Sequence, residues 1–83
     1  MASPITVYSQ NGCIGCKATE RFLTKHGAQF EVIDITDNDS EREHVLDIMS
    51  ENNLENRMPL VLAGDKKWSG FRDDKLTEAL MSA

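Results

Sequence analysis

Eighty-three residues suffice for one compact domain near the lower end of what a single apolar core stabilises, so residues 1–83 are expected to form a single domain. The balance of 40% hydrophobic and 28% charged residues is that of an ordinary globular protein, and no apolar run approaches the roughly 20 residues that span a bilayer. The net charge is −5, and the sequence has no basic stripe of the kind that binds nucleic acid. Neither nucleic acid nor a membrane is therefore an expected partner.

The chain begins with the pattern of a strand followed by a helix. Residues 5–8 alternate as a half-buried strand, and the turn-forming residues 10–12 follow it. From Cys13 to His26 the apolar residues recur at helical spacing, until Gly27 offers a stop. Residues 30–35 are rich in β-branched and aromatic residues, which predicts a second and more buried strand.

A second helix is predicted in the acidic middle of the chain. Ser40 and Glu43 have the spacing of a capping box, in which the serine hydroxyl accepts a hydrogen bond from the amide of Glu43. Apolar residues follow at helical spacing from Val45, and the helix should end near residues 52–53. Segment 31–57 carries nine acidic residues against two arginines, and it is interpreted first as a solvated helix face and second as a docking surface for a basic partner.

A hairpin and a last helix complete the predicted elements. Residues 60–63, opened by Pro59, should form a strand, and a turn leads them into a returning strand at residues 66–69. Asp73 or Asp74 can then cap a third helix.

The predicted order of elements is therefore β-α-β-α-β-β-α. The strand-helix-strand half requires a crossover and hence a parallel pair, whereas the last two strands form an antiparallel hairpin. The expected fold is α/β, with a four-stranded mixed sheet flanked by three helices in the thioredoxin-like (glutaredoxin-like) arrangement. A Cys-x-x-Cys motif after the first strand is the redox signature associated with that arrangement.

Cys13 and Cys16, the two cysteines of the chain, lie at the predicted start of the first helix. Their Cα atoms should be about 5 Å apart, inside the range of about 4.4–6.8 Å that a disulfide tolerates. Unsatisfied amides and the helix dipole favour a thiolate at Cys13, so Cys13 is predicted to be the nucleophile and the more shielded Cys16 the resolving thiol. In the predicted cycle Cys13 attacks a substrate disulfide, and Cys16 then attacks Cys13 and releases the reduced substrate.

Other roles for the cysteine pair are disfavoured. His26 and His44 lie outside the usual zinc-finger spacing, so no metal is expected unless a dimer shares two cysteine pairs. The N-terminus lacks the basic start and apolar stretch of a secretory signal, which predicts a cytoplasmic protein whose thiols are held reduced. A structural disulfide would close only a four-residue loop and would add little stability.

Three motifs together resemble the NrdH-redoxins, and the resemblance covers nearly the whole chain. They are Cys13-Ile14-Gly15-Cys16 after a strand, Met58-Pro59-Leu60-Val61 before another, and Trp68-Ser69-Gly70-Phe71-Arg72 followed by an acid and a lysine. The resemblance implies a dithiol-disulfide oxidoreductase that is reduced by thioredoxin reductase with electrons from NADPH and that reduces class Ib ribonucleotide reductase. No bound cofactor is expected beyond the redox-active disulfide of Cys13 and Cys16, and the protein is expected to be a monomer.

The resemblance also implies roles outside the cysteine pair. It implies a cis peptide bond before Pro59, facing the disulfide, and it places the backbone of Met58 where an incoming substrate chain adds as a strand. A candidate partner surface follows the hairpin and comprises Trp68, Ser69, Gly70, Phe71 and Arg72. Within it Phe71 is favoured as a core residue, whereas Trp68 fits either the core or the partner surface.

Departures from the family pattern keep two alternatives open. Gln10 and Asn11 stand where the family commonly has a lysine and a proline, and Asp73 stands where it has a proline. Residues 70–74 also resemble the Gly-Gly-x-Asp-Asp of glutaredoxins, in which an acid binds the amino group of glutathione. A glutathione-dependent dithiol glutaredoxin is therefore the alternative, although Gln10 replaces the cation that usually precedes its active turn. A non-catalytic adaptor is the third hypothesis, and it would tolerate serine at both cysteines.

Overall fold

The computed structural model describes residues 5–81, and within them it contains four strands and three helices. The elements in chain order are β1 (Ile5–Ser9), α1 (Ile14–Lys25), β2 (Phe30–Asp34), α2 (Asp39–Glu51), β3 (Leu60–Ala63), β4 (Lys66–Ser69) and α3 (Asp73–Met81). The predicted order is confirmed. Residues 1–4, from which the absence of a signal segment was predicted, lie outside the described residues. Between residues 5 and 81, no helix combines the length and the apolar character needed to cross a membrane.

The strands form a mixed sheet in the order β2-β1-β3-β4. β1 pairs in parallel with β2, with Val7 opposite Val32, because α1 provides the crossover between them. β1 pairs antiparallel with β3, where Val7 lies opposite Val61, and β3 continues into the β4 hairpin. The predicted thioredoxin-like arrangement is confirmed. The central strand β1 ends at Ser9, and the turn that carries the cysteines follows directly after it.

The two faces of the sheet bury two separate apolar clusters, because successive side chains of a strand point to opposite faces. Helices α1 and α3 cover one face through Leu23 and Leu76, and α2 covers the other through Val45 and Met49. All four of these side chains are almost completely buried. Both faces of the central strands are therefore shielded from water.

β2 is an edge strand of the described sheet, and the prediction of a more buried strand is wrong. Within it only Phe30 and Ile33 are half-buried, and the other three residues are exposed. The fully buried residue of this run is Ile35, which lies just past the strand. The β-branched composition indicates a strand, but it does not determine whether that strand lies at the centre or the edge of a sheet.

Helix α2 is capped by Asn38, and the predicted capping box of Ser40 and Glu43 is wrong. The Oδ1 atom of Asn38 accepts a hydrogen bond from the backbone N–H of Glu41 at 3.1 Å. Ser40 already belongs to the first turn of the helix and is exposed. Asn, Asp and Ser are nearly equally favoured as N-cap residues, and they occupy positions 38, 39 and 40, so the local sequence does not determine which of them is the cap. The helix ends at Glu51, close to the predicted end.

The two aspartates at the start of α3 lie inside its first turn. Asp73 is the first helical residue, and the amide of Leu76 donates to the carbonyl oxygen of Arg72 at 3.0 Å. Asp73 and Asp74 therefore complement the positive end of the helix dipole from within the helix, and the prediction that one of them is the cap is wrong.

Candidate active site

Cys13 is the N-cap residue of α1. After β1, the turn at Gly12 has a φ of +74°, a left-handed conformation that glycine adopts without steric cost. Cys13 then takes an extended conformation, and its Sγ accepts a hydrogen bond from the backbone N–H of Cys16 at 3.1 Å. The first turn of α1 contains no acidic residue. The amide of Cys16 and the positive end of the α1 dipole therefore both lie at the sulfur of Cys13.

Cys16 lies one turn further along α1 and is shielded from solvent. Its side chain is 1% exposed, whereas that of Cys13 is intermediate in burial, and both are free thiols. Burial raises the pKa of the Cys16 thiol to about 12, with the hydrogen bond to Cys13 as the next cause. The predicted difference in shielding between the two cysteines is confirmed, while their separate roles in turnover stay predictions.

The loop before β3 packs directly against the cysteine turn. The Met58-Pro59 peptide bond is cis, and the carbonyl oxygen of Pro59 accepts a hydrogen bond from the amide of Gly70 at 2.8 Å. A Cβ atom added to Gly15 would lie 3.3 Å from the carbonyl oxygen of Met58 and 3.4 Å from Cδ of Pro59. This close approach explains the glycine inside the Cys-x-x-Cys motif. It also brings Met58 and Pro59, two predicted site residues, beside the cysteines.

The candidate partner surface 68–72 is divided between the core and the exterior. Trp68 is 4% exposed and packs in the cluster under α1 and α3, so its indole belongs to the core. Gly70 is also buried and Ser69 is half-buried. Phe71 is 42% exposed and contacts Phe22 edge-on, so its assignment to the core is wrong. Trp68 faces inward from a strand, whereas Phe71 follows the strand in an exposed turn, which leaves Phe71 and Arg72 as the exposed part of this surface.

Arg72 pairs with Asp74, one of the two acids, Asp73 and Asp74, that resemble the glutaredoxin motif. Its Nη2 lies 3.2 Å from Oδ2 of Asp74, and its Nε lies 3.3 Å from Oδ1. The hydrogen bonds from Arg72 lower the pKa of the Asp74 carboxyl. Gln10, which stands where a glutaredoxin usually has a cation, is exposed and uncharged. The groups available to hold glutathione are therefore fewer than the motif alone indicates.

The two histidines contact aromatic rings. The ring of His26 lies 4.4 Å from that of Phe22, and the ring of His44 lies 6.2 Å from that of Tyr8. Among residues 5–81, no three or more His, Cys, Asp and Glu side chains are grouped so that they could hold a metal ion.

Sequence reasoning missed Thr36, which reaches the cysteine turn from the loop after β2. Its Oγ1 accepts a hydrogen bond from the backbone N–H of Asn11 at 2.9 Å. The two residues are 25 positions apart, and a threonine in a polar loop carries no signal of such a contact. Only the parallel pairing of β1 and β2, which brings the ends of both strands to the same edge of the sheet, places these two loops side by side.

Comparison with known proteins places these features in a family. A family profile described as glutaredoxin matches residues 5–66. The glutaredoxin-like protein NrdH of Escherichia coli K12 is 39% identical over 72 residues, which cover 87% of this chain and 83% of that protein. The glutaredoxin-like protein NrdH of Lactococcus lactis IL1403 is 30% identical over 74 residues, which cover 89% of this chain and 96% of that protein.

Solved structures agree with the sequence matches. The NrdH-redoxin of Escherichia coli, described as a glutaredoxin-like protein with a thioredoxin-like activity profile, superposes with a TM-score of 0.74 at 35% identity, covering 90% of this chain and 92% of that one. A glutaredoxin from Archaeoglobus fulgidus superposes with a TM-score of 0.74 at 30% identity, covering 96% of this chain and 87% of that one.

Proposed function

Because this chain belongs to the NrdH-redoxins of the glutaredoxin family and is therefore a thiol-disulfide oxidoreductase, we propose that it donates electrons to class Ib ribonucleotide reductase and is itself reduced by thioredoxin reductase. In this proposal NADPH supplies the electrons through the reductase, and the chain acts as a cytoplasmic monomer. It carries them on its own two thiols, Cys13 and Cys16, without a bound cofactor.

One observation carries the chemical part of the proposal, namely the hydrogen bond from the amide of Cys16 to the sulfur of Cys13. The thiolate of Cys13 attacks a substrate disulfide, a mixed disulfide forms, and the first substrate sulfur leaves and takes a proton. Cys16 then loses its proton and attacks Cys13, so the mixed disulfide breaks and the Cys13-Cys16 disulfide forms. Two electrons have passed to the substrate, and the reductase returns two to the protein.

The surface around Cys13 is suited to an extended polypeptide that carries the substrate disulfide. Ile14 is 85% exposed beside the nucleophile, and the exposed Phe71 lies across the turn, with its Cβ 3.8 Å from a Cβ built on Gly15. The carbonyl oxygen of Met58 lies beside the same turn, 3.3 Å from that Cβ, and the backbone of Met58 is the segment that would pair with an incoming strand. We infer that apolar contacts with Ile14 and Phe71 and main-chain pairing at Met58 hold the substrate chain.

Thioredoxin reductase is preferred over glutathione for two reasons. The Escherichia coli NrdH-redoxin is described as having a thioredoxin-like activity profile. Glutathione also has two carboxylates to bind, and Gln10 is uncharged where a glutaredoxin usually has a cation. Asp74, an acid that could bind the amino group of glutathione, is already hydrogen-bonded to Arg72. Asp74 nevertheless lies at the start of α3, where glutaredoxins bind the amino group of glutathione, so glutathione is the competing reductant.

A coupled assay of NADPH oxidation during insulin reduction separates the two reductants. One reaction contains thioredoxin reductase, and the other contains glutathione with glutathione reductase. We expect turnover only with thioredoxin reductase, and Cys13→Ser supplies the inactive control. Turnover only with glutathione would contradict the proposal and identify a glutathione-dependent glutaredoxin. The substrate is tested next, by asking whether the protein with NADPH and thioredoxin reductase sustains a class Ib ribonucleotide reductase.

A further inference from the structure

The exposed side of α1 carries a row of three cations. Lys17, Arg21 and Lys25 are spaced four residues apart, so their side chains follow one another along the same side of the helix. All three are exposed, and among residues 5–81 no carboxylate lies within ion-pair distance of any of them. Three cations elsewhere in the chain do pair with an acid, namely Arg57, Lys66 and Arg72. The row on α1 is therefore available to a charge outside the chain.

An apolar row lies directly beside the cationic one. Ile14, Ala18 and Phe22 are also spaced four residues apart; Ile14 is 85% exposed, and the other two are half-buried. The ring of Phe22 contacts the exposed ring of Phe71, with the centroids 6.4 Å apart. Both rows begin at the cysteine turn. Together they form a surface, here called the α1 face, that comprises Ile14, Lys17, Ala18, Arg21, Phe22 and Lys25.

The opposite side of the molecule is acidic. Residues 31–57 carry nine acidic residues against two arginines, and α2, within that segment, packs on the other face of the sheet from α1. Charge separated in this way orients an approaching charged chain. At about 0.1 M salt the screening length is about 10 Å, whereas the protein extends over 32 × 25 × 20 Å. A chain at the α1 face is therefore affected mainly by the cations of that face.

We propose that the α1 face is a docking surface for an acidic polypeptide, namely the chain that carries the substrate disulfide. The inference rests on the proposed function, in which Cys13 attacks that disulfide. Along the helix axis, Lys17, Arg21 and Lys25 lie about 6, 12 and 18 Å beyond Cys13. An extended chain advances about 3.3 Å per residue, so the complementary acids should lie about two to six residues from the reacting cysteine.

Two synthetic peptides of equal length test the docking surface. Each has one cysteine in a mixed disulfide with mercaptoethanol, and the flanking positions about two to six residues away carry glutamates in one peptide and lysines in the other. The two thiols of the reduced protein become the Cys13-Cys16 disulfide, while the peptide and mercaptoethanol leave as thiols. Each rate is divided by the rate of the same peptide with dithiothreitol, which corrects for intrinsic reactivity. We expect the glutamate peptide to react about ten-fold faster at about 0.1 M salt, and the difference to shrink at about 1 M.

A pair of charge-reversed variants locates the effect. Arg21→Glu with Lys25→Glu alters the α1 face more than one turn beyond Cys16, and Lys67→Glu with Lys75→Glu alters two exposed cations of β4 and α3 as the matched control. Both lower the net charge equally, but only the first should lose the preference for the glutamate peptide. Reaction with the uncharged disulfide dithiodipyridine should stay within about two-fold of the wild type in both, because charge does not steer a neutral reagent. If the first variant does not fold, the neutral pair Arg21→Gln with Lys25→Gln replaces it.

Several results would overturn the inference. They are equal rates for the two peptides, a faster lysine peptide, a preference that survives in the α1 variant, or one that the control variant also loses. Sedimentation that shows a wild-type dimer separated by Arg21→Glu with Lys25→Glu would also overturn it, because the occupant would then be a second copy, whose segment 31–57 is acidic. Failure of the proposed function looks different: the wild-type protein would reduce neither peptide, or Cys13→Ser would reduce them as fast as the wild type.

Discussion

Helices α1 and α2 begin with the same hydrogen bond, made to two different kinds of atom. In α1 the sulfur of Cys13 accepts from the amide three residues later at 3.1 Å, and in α2 the amide oxygen of Asn38 does so at 3.1 Å. The first turn of α2 contains Asp39 and Glu41, whereas that of α1 contains no acid. In α2 the carboxylates of Asp39 and Glu41 therefore interact with the positive end of the helix dipole.

The difference suits an ordinary structural position, the N-cap, to the reactive role proposed for Cys13. An N-cap residue must present an acceptor to unsatisfied amides, and a thiolate is an acceptor that is also a nucleophile. Because α1 has no first-turn acid, the helix dipole acts on Cys13 without a competing negative charge in that turn. In the proposed mechanism, the same local geometry contributes only stability at Asn38 and both stability and reactivity at Cys13.

The largest effect is expected from Cys13→Ser. Serine is a good N-cap residue, so we expect the free energy of unfolding to change by less than about 1 kcal/mol. Thiol-disulfide exchange should nevertheless fall to the background of the insulin assay, because the hydroxyl is not a leaving or attacking group in this chemistry. Urea unfolding and turnover are measured on the same preparation. A large loss of stability, or residual turnover, would break the comparison between the two caps.

The next effect concerns the second thiol of α1. Burial is the largest cause of the raised pKa of Cys16, so the reaction of Cys16 with iodoacetamide should keep rising with pH above pH 9. The measurement is made on Cys13→Ser, which keeps the burial and removes the contribution of the Cys13 thiol to the shift. In the wild-type protein at neutral pH, alkylation should reach Cys13 well before Cys16. Equal labelling of the two cysteines, or a plateau of the variant near pH 9, would contradict the shielding of Cys16.

A smaller effect on stability is expected two residues after each N-cap, at Gly15 in α1 and at Ser40 in α2. Gly15→Val places a branched side chain against the carbonyl oxygen of Met58, 3.3 Å from the new Cβ, and should cost about 1–3 kcal/mol of unfolding free energy. Ser40 is exposed, so Ser40→Val should stay within about 0.5 kcal/mol of the wild type. Urea unfolding of both variants checks this, and equal losses would show that Gly15 is not restricted by the loop.

The smallest effect tests the cap of α2. Asn38→Ala removes the acceptor for the Glu41 amide and should lower the unfolding free energy by about 1 kcal/mol. Turnover should be unchanged. Ser40→Ala is the matched control, because its hydroxyl takes no part in the cap, and it should have no measurable effect. If the serine variant lost the stability and the asparagine variant did not, the original capping-box interpretation would be restored.

By itself, the sequence determined the order of the elements and the position of the cysteine pair within it. Apolar residues at period 2 or 3.6 decide which segments are strands or helices, so the order of seven elements was predictable. Cys13 at the first turn after a strand likewise indicated the reactive N-cap, because amides at a helix start are unsatisfied in any fold. The spacing of Cys13 and Cys16 predicted two thiols one helical turn apart at the start of the first helix.

Tertiary structure decided what lies beside these elements. Composition could not place β2 at the sheet edge, nor could it assign Trp68 to the core and Phe71 to the surface, since both are large aromatic residues in one short motif. The hydrogen bond between Asn11 and Thr36 links two loops 25 residues apart, and it exists only because β1 and β2 run parallel. The spacing of apolar residues predicts which face of a helix or strand is buried. It does not predict which other element packs against that face, because this depends on the fold of the whole chain.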